Sequence, residues 1–176
     1  MIIREVKPKD ASILSEFYVN NHDHLAPWEP ARDKEYHSIA SWSVRLLQWE
    51  QQRNLGGLFS FVALSDEEDQ IWGHCTLSGI SGGVFQACFM GYGVDKNHEG
   101  KGVMTSLCHF VLKFAFGDLK LNRVMANYMP SNKRSAHLLK KLGFETEGYA
   151  KKYLMINGQW EDHVLTALLN EDYNRL

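Results

Sequence analysis

The feature that most restricts the fold of this 176-residue chain lies at its centre. Residues 84–95 (VFQACFMGYGVD) form a strand-like run. They enter the turn Lys96-Asn97-His98-Glu99-Gly100-Lys101-Gly102, and residues 102–116 then place Met104, Leu107, Cys108, Val111, Phe114 and Ala115 at the spacing of one buried helix face. A second strand-like run follows at 122–128 (NRVMANY). Two strands joined by a helical crossover must lie parallel. Upstream, the runs 58–65 and 70–80 are separated from each other by DEED and from the 84–95 run by Ser81-Gly82-Gly83, which are hairpin connections. One parallel pair is therefore set into a mostly antiparallel sheet, and the expected class is α+β.

The remaining segments complete the order β-α-α-β-β-β-α-β-α-β-β. Residues 2–7 predict a first strand, and Asp10 predicts an N-cap for a helix through about Asn20. The stretch 21–36, with Pro27 and Pro30 around Trp28, predicts a loop. Ile39, Trp42, Leu46 and Trp49 predict a buried helix face from Ser38 to about Arg53, stopped by Gly56-Gly57. Pro130-Ser131 leads into a helix with Ala136, Leu139 and Leu142 on its apolar face, ended by Gly143. Strands at 144–155 and 159–168 flank Asn157-Gly158, a hairpin signal.

Length predicts one domain spanning 1–176 with a full core. A formal charge of −2 argues against a general DNA or RNA binder. No apolar run approaches the ~18 residues of a membrane span, and residues 1–20 hold no signal-peptide core, so no membrane association and a cytoplasmic location are expected. Cys75, Cys88 and Cys108 are odd in number and widely spaced, which excludes a zinc knuckle and predicts buried thiols; no metal site is expected.

A glycine-rich turn at a helix start gathers free N–H groups and the positive end of the helix dipole around one point. Phosphate or pyrophosphate suits that point, with glycine allowing the backbone to approach it. The spacings GxxxxGK[ST] and GxGxxG are both absent.

The run YGVDKNHEGKGVMT instead resembles the acetyl-CoA pyrophosphate loop of the GNAT acetyltransferase superfamily, [QR]xxGx[GA], with Glu99 and Met104 departing from it. Asn132-xx-Ser135, then Leu139 and Gly143-Phe144, has the spacing of the family's next helix. His24 to Asp33 (HLAPWEPARD) and the tract Ala126 to Leu168 are similar to the branch of the superfamily that acetylates bacterial ribosomal proteins at an N-terminal alanine. The resemblance implies a GNAT fold in which the two central parallel strands splay apart, flanked by helices. It also implies acetyl-CoA as co-substrate and a ribosomal protein N-terminus, alone or on a pre-ribosomal particle, as acceptor.

Residue by residue, the resemblance implies that Tyr92, Gly93 and Val94 present the strand edge to pantetheine. The N–H groups of Glu99, Gly100, Lys101, Gly102, Val103 and Met104 would hold pyrophosphate, with the Thr105 hydroxyl adding to them. Asn132 would meet a pantetheine amide, and Lys101, Lys133 and Arg134 the phosphates. The acid tyrosine of many family members is replaced here by Leu139, and Ser135, one turn earlier, is the substitute expected to protonate the leaving thiolate. Trp28, Glu29 and Asp33 are expected to wall the acceptor cleft on one side, with Tyr149 and Trp160 on the other. The base stays open among His74, Glu29, Glu161, Asp162 and His163. A polyamine acetyltransferase and a non-catalytic ribosome assembly factor are the alternatives.

Overall fold

The meander and its crossover build one seven-stranded sheet, in the order β1-β2-β3-β4-β5-β7-β6, in the computed structural model, which describes residues 1–173. Its strands are β1 (Ile2–Glu5), β2 (Leu58–Leu64), β3 (Ile71–Ser81), β4 (Ala87–Val94), β5 (Arg123–Met125), β6 (Glu145–Ile156) and β7 (Gln159–Leu169). Every pairing is antiparallel except β4 with β5. The mixed sheet with helices on both faces matches the expected fold class.

Two helices cover each face. Helices α1 (Ala11–Asn20) and α3 (Ile39–Asn54) bury Leu14, Phe17, Trp42 and Leu46 against Val62 and Leu64. Helices α4 (Val103–Gly117) and α5 (Lys133–Lys141) bury Leu107, Cys108, Val111, Ala115 and Leu139 against Phe61, Cys75, Leu77 and Cys88. All three thiols are buried and unbridged. Helix α4 comes so close to the sheet that a Cβ at Gly73 would stand 2.9 Å from Met104 Sδ. A larger residue there would have to displace the Met104 side chain.

Several local expectations are corrected. Asp10 does not cap α1: its carboxylate accepts from the Arg4 guanidinium at 2.7 and 3.0 Å and from the Lys7 N–H at 2.7 Å. A bidentate ion pair on a carboxylate only 1% exposed outweighs a cap, which contributes about 1 kcal/mol. The stretch 21–36 is not all loop, since α2 (His22–Leu25) and a 3-10 turn (Ala26–Trp28) occupy it. Ile39 is 56% exposed although its spacing fits the buried face of α3. It is the first helical residue, beyond the reach of α1 packing on Trp42 and Leu46. Strand β4 begins at Ala87, not at 84, because Gly83 and Gln86 both turn left-handed (φ 62° and 47°).

The crossover opens the sheet. Strands β4 and β5 share only the pairs Ala87–Arg123, Cys88–Val124 and Phe89–Met125. Beyond Phe89, β4 keeps β3 alone, while the chain after β5 follows β7 through Ala126 N–H to Thr166 and Tyr128 N–H to Val164. The two central strands splay from that point.

Candidate active site

The splay leaves an open edge on β4. Asp95 N–H donates to the Trp72 carbonyl at 2.9 Å, so that residue faces β3. Alternation along the strand then turns the backbone of Gly93 toward β3 and the N–H and C=O of Tyr92 and Val94 toward the gap. An extended chain with amide groups can pair there.

Just past the open edge, a 3-10 turn (Lys96–His98) delivers the chain to Gly100 and Gly102, both left-handed (φ 70° and 81°). Gly102 is the N-cap of α4, and neither glycine has a heavy atom within 4 Å of its would-be Cβ. A helix start that is unobstructed and free of side chains is an anion cradle. The cradle and the open edge together fit the pyrophosphate and pantetheine of coenzyme A. Lys101 and Lys133 are exposed beside it and have no carboxylate partner among the described residues. Arg134 is not free in the same way. It donates to Glu99 at 2.7 Å, and His24 Nε2 lies 3.4 Å from the same carboxylate oxygen. Glu99, a departure from the family loop, is thereby neutralised and ties the turn to α5 and α2.

At the start of α5 the Asn132 side chain accepts from the Ser135 N–H at 3.0 Å, which fixes the serine in the first turn. The Ser135 and Tyr92 hydroxyls share a hydrogen bond of 2.6 Å. Burial pushes the Tyr92 phenol well above its ordinary range, with the serine hydrogen bond opposing that shift, so the phenol stays protonated at neutral pH. Sequence reasoning placed only the Tyr92 backbone in the site. Strand alternation turns Tyr92 to the α4–α5 face together with Cys88 and Met90, a pattern that fits a packing ring as well as a reacting hydroxyl.

On the opposite face, Leu25 packs over Gly93, with Cδ2 3.4 Å from its would-be Cβ. The segment after it reaches the tip of the β6–β7 hairpin, where Asn157 N–H donates to the Glu29 carbonyl at 2.9 Å. The two expected walls of the acceptor cleft thus meet at that point. Trp28 is half-buried and stacks on no other ring among the described residues. Asp33 is exposed, with its carbonyl accepting from the Tyr36 N–H. Tyr149 and Trp160 are 56% and 58% exposed on the hairpin, and the Tyr149 hydroxyl is held by Asp162 at 2.7 Å.

A splayed parallel pair followed by an anion cradle is the arrangement that binds an acyl-coenzyme A. A family model for the acetyltransferase (GNAT) domain matches residues 1–145, and the chain belongs to that family of acetyl-CoA-dependent acetyltransferases. Over 173 residues it is 40% identical to the [ribosomal protein uS5]-alanine N-acetyltransferase of Escherichia coli K12, covering 98% of this chain and 89% of that protein. The structure of the ribosomal-protein-S5-alanine acetyltransferase from Vibrio fischeri superposes with a TM-score of 0.94 at 39% identity, covering 97% and 93% of the two chains. Mycobacterium smegmatis RimJ in complex with CoA-disulfide gives 0.90 at 30% identity, covering 97% and 82%.

Proposed function

We propose that this enzyme transfers the acetyl group of acetyl-CoA to the α-amino group of a ribosomal protein beginning with alanine, by direct attack within a ternary complex. The observation that carries this reading is likeness over almost the whole chain to enzymes of that named activity, including the segment from His24 to Asp33 and the β6–β7 hairpin. Pantetheine pairs with the open edge at Tyr92 and Val94, threading past Gly93. The N–H groups of Glu99, Gly100, Lys101, Gly102, Val103 and Met104 hold the pyrophosphate, with Thr105, Lys101 and Lys133 beside it. Asn132 meets a pantetheine amide with the NH₂ that capping leaves free. An N–H of the open edge stabilises the oxyanion, an interaction typically contributing ~3 kcal/mol because the charge develops only in the transition state. Ser135 protonates the departing thiolate and is resupplied by Tyr92.

In this reading Trp28, Glu29 and Asp33 face the incoming peptide from one wall, and Tyr149 and Trp160 from the hairpin. The enzyme acts in the cytoplasm, on the free protein or on a pre-ribosomal particle.

The test is competition among acceptors. Peptides with an N-terminal alanine are expected to be acetylated much faster than free lysine or spermidine. Trp28→Ala is expected to lower kcat/KM for the peptide and leave acetyl-CoA affinity unchanged. Equal rates on peptide and spermidine overturn the reading.

A further inference from the structure

An acceptor that arrives as an ammonium must lose a proton before it can attack, and most of the side chains that might take it are committed elsewhere. His74 is 4% exposed and uses both ring nitrogens, Nδ1 with the Tyr18 hydroxyl at 2.8 Å and Nε2 with the Ser60 hydroxyl at 2.7 Å. Asp162 holds the Tyr149 hydroxyl and the Lys152 N–H, which keeps its carboxyl below the usual range. His163 is buried against Tyr153, with Nδ1 3.1 Å from the Glu161 carbonyl. Glu161 pairs across the hairpin with Leu154, a solvent-facing position.

Glu29 is different. Its backbone is held from both directions, N–H to the Ala26 carbonyl and C=O from the Asn157 N–H. Its half-buried carboxylate has neither a hydrogen bond nor an ion pair among the described residues. Arg32 and His22 act on it only at a distance, so a ligand cation can still supply the direct hydrogen bonds it lacks. The neighbourhood is equally unsatisfied: His37 Nδ1 and Trp42 Nε1, both buried, have no partner, and their rings lie 6.1 Å apart. Tyr18 stacks on both rings, at 4.5 and 5.3 Å, and its phenol feels the charge of Glu29. Through Tyr18 and His74 the patch reaches Gly93, the strand partner of His74, beneath Leu25. Leu25 over Gly93 and the clasp of the Asn157 N–H on the Glu29 carbonyl hold the segment carrying Glu29 on that same face of the open edge.

We propose that Glu29 is the general base of the reaction, receiving the acceptor's α-ammonium and taking its proton. This assignment rests on the acceptor reading above. The ammonium gives one proton to the carboxylate, which releases it to solvent. The freed lone pair attacks the thioester carbon, forming C–N. As C–S breaks, the second amine proton passes to Glu29, and the thiolate takes a proton from the Ser135–Tyr92 pair. Water returns Glu29's proton to that pair, so one proton leaves per turnover and no further reactant is needed. Burial raises the Glu29 carboxyl while Arg32 and His22 pull it back; Tyr18 from α1 and Arg45 from α3 face the same patch, and the hairpin donates the Asn157 N–H to the Glu29 carbonyl.

The test is E29Q and E29D, each checked for acetyl-CoA affinity and melting temperature, assayed with whichever amine the wild type acetylates. E29Q is expected to lose kcat by about 10²–10⁴-fold. Its residual rate should climb tenfold per pH unit up to about pH 8, where the amine deprotonates unaided, while the wild type stays flat near neutrality. E29D should keep part of the rate. A kcat within threefold of wild type, or a loss confined to KM, overturns the assignment. A wild type that prefers spermidine overturns the peptide reading instead, and the base is then judged on spermidine by the loss of kcat in E29Q and its partial retention in E29D, with the pH climb extending to about pH 10 for an alkylamine.

Discussion

Ser135 and Tyr92 stand 43 positions apart in the chain and 2.6 Å apart in the fold. In the proposed mechanism that contact makes a serine, a poor acid alone, the outer half of a two-hydroxyl donor. Ser135→Ala and Tyr92→Phe are each expected to lower kcat by roughly 10²–10⁴-fold with little change in acetyl-CoA affinity. Because they act as a unit, the double variant should be scarcely slower than the worse single one. Steady-state kinetics on all three variants checks this; multiplicative losses would separate the two roles. Ser135 was legible from its spacing to Asn132 and Gly143-Phe144. The Tyr92 hydroxyl was not, since an aromatic residue in a buried strand has the same pattern whether it packs or reacts. The pairing of Glu99 with Arg134 was equally hidden, because they stand 35 positions apart in the chain.

At the scale of elements, the glycine turn and α4 form one device. Gly102→Val has two separable effects. Its φ of 81° is unfavourable for a β-branched residue, about 1–3 kcal/mol, yet nothing within 4 Å blocks the added Cβ. The variant is therefore expected to fold with a melting temperature several degrees lower. The valine methyl groups would occupy the space the pyrophosphate needs, so acetyl-CoA binding should fall severely. Calorimetry showing wild-type affinity in a folded Gly102→Val would remove the turn from the site. The long helices and the Asn157-Gly158 hairpin were legible because their apolar spacing and turn residues are local signals. Helix α2 was missed because its four residues, His22–Leu25, are too few to show periodicity.

At the scale of the whole molecule, the Tyr18–His74–Ser60 chain joins α1 to two strands and makes the fold acid-sensitive. Burial pushes His74 down to about 4 from the ordinary 6.5. The unfolded chain takes up that proton near pH 6.5, and the folded chain only near pH 4. Stability from this residue is thus complete above about pH 6.5 and lost as pH falls toward 4, on the order of 3 kcal/mol. His74→Gln keeps hydrogen-bonding groups toward Tyr18 and Ser60 without titrating. Urea unfolding at pH 7 and pH 4.5 should show a smaller acid loss for the variant than for the wild type; equal losses would place the sensitivity elsewhere. By itself, the sequence determined the element order, the parallel crossover and the glycine turn, because hydrophobic period, caps and turn residues act over a few neighbours. Tertiary structure alone decided where β4 and β5 part, which hydroxyl meets Ser135, and that Asn157 clasps Glu29. Those outcomes depend on how α4, α5 and the hairpin pack against the sheet, and no short-range pattern encodes contacts between groups that only folding brings together.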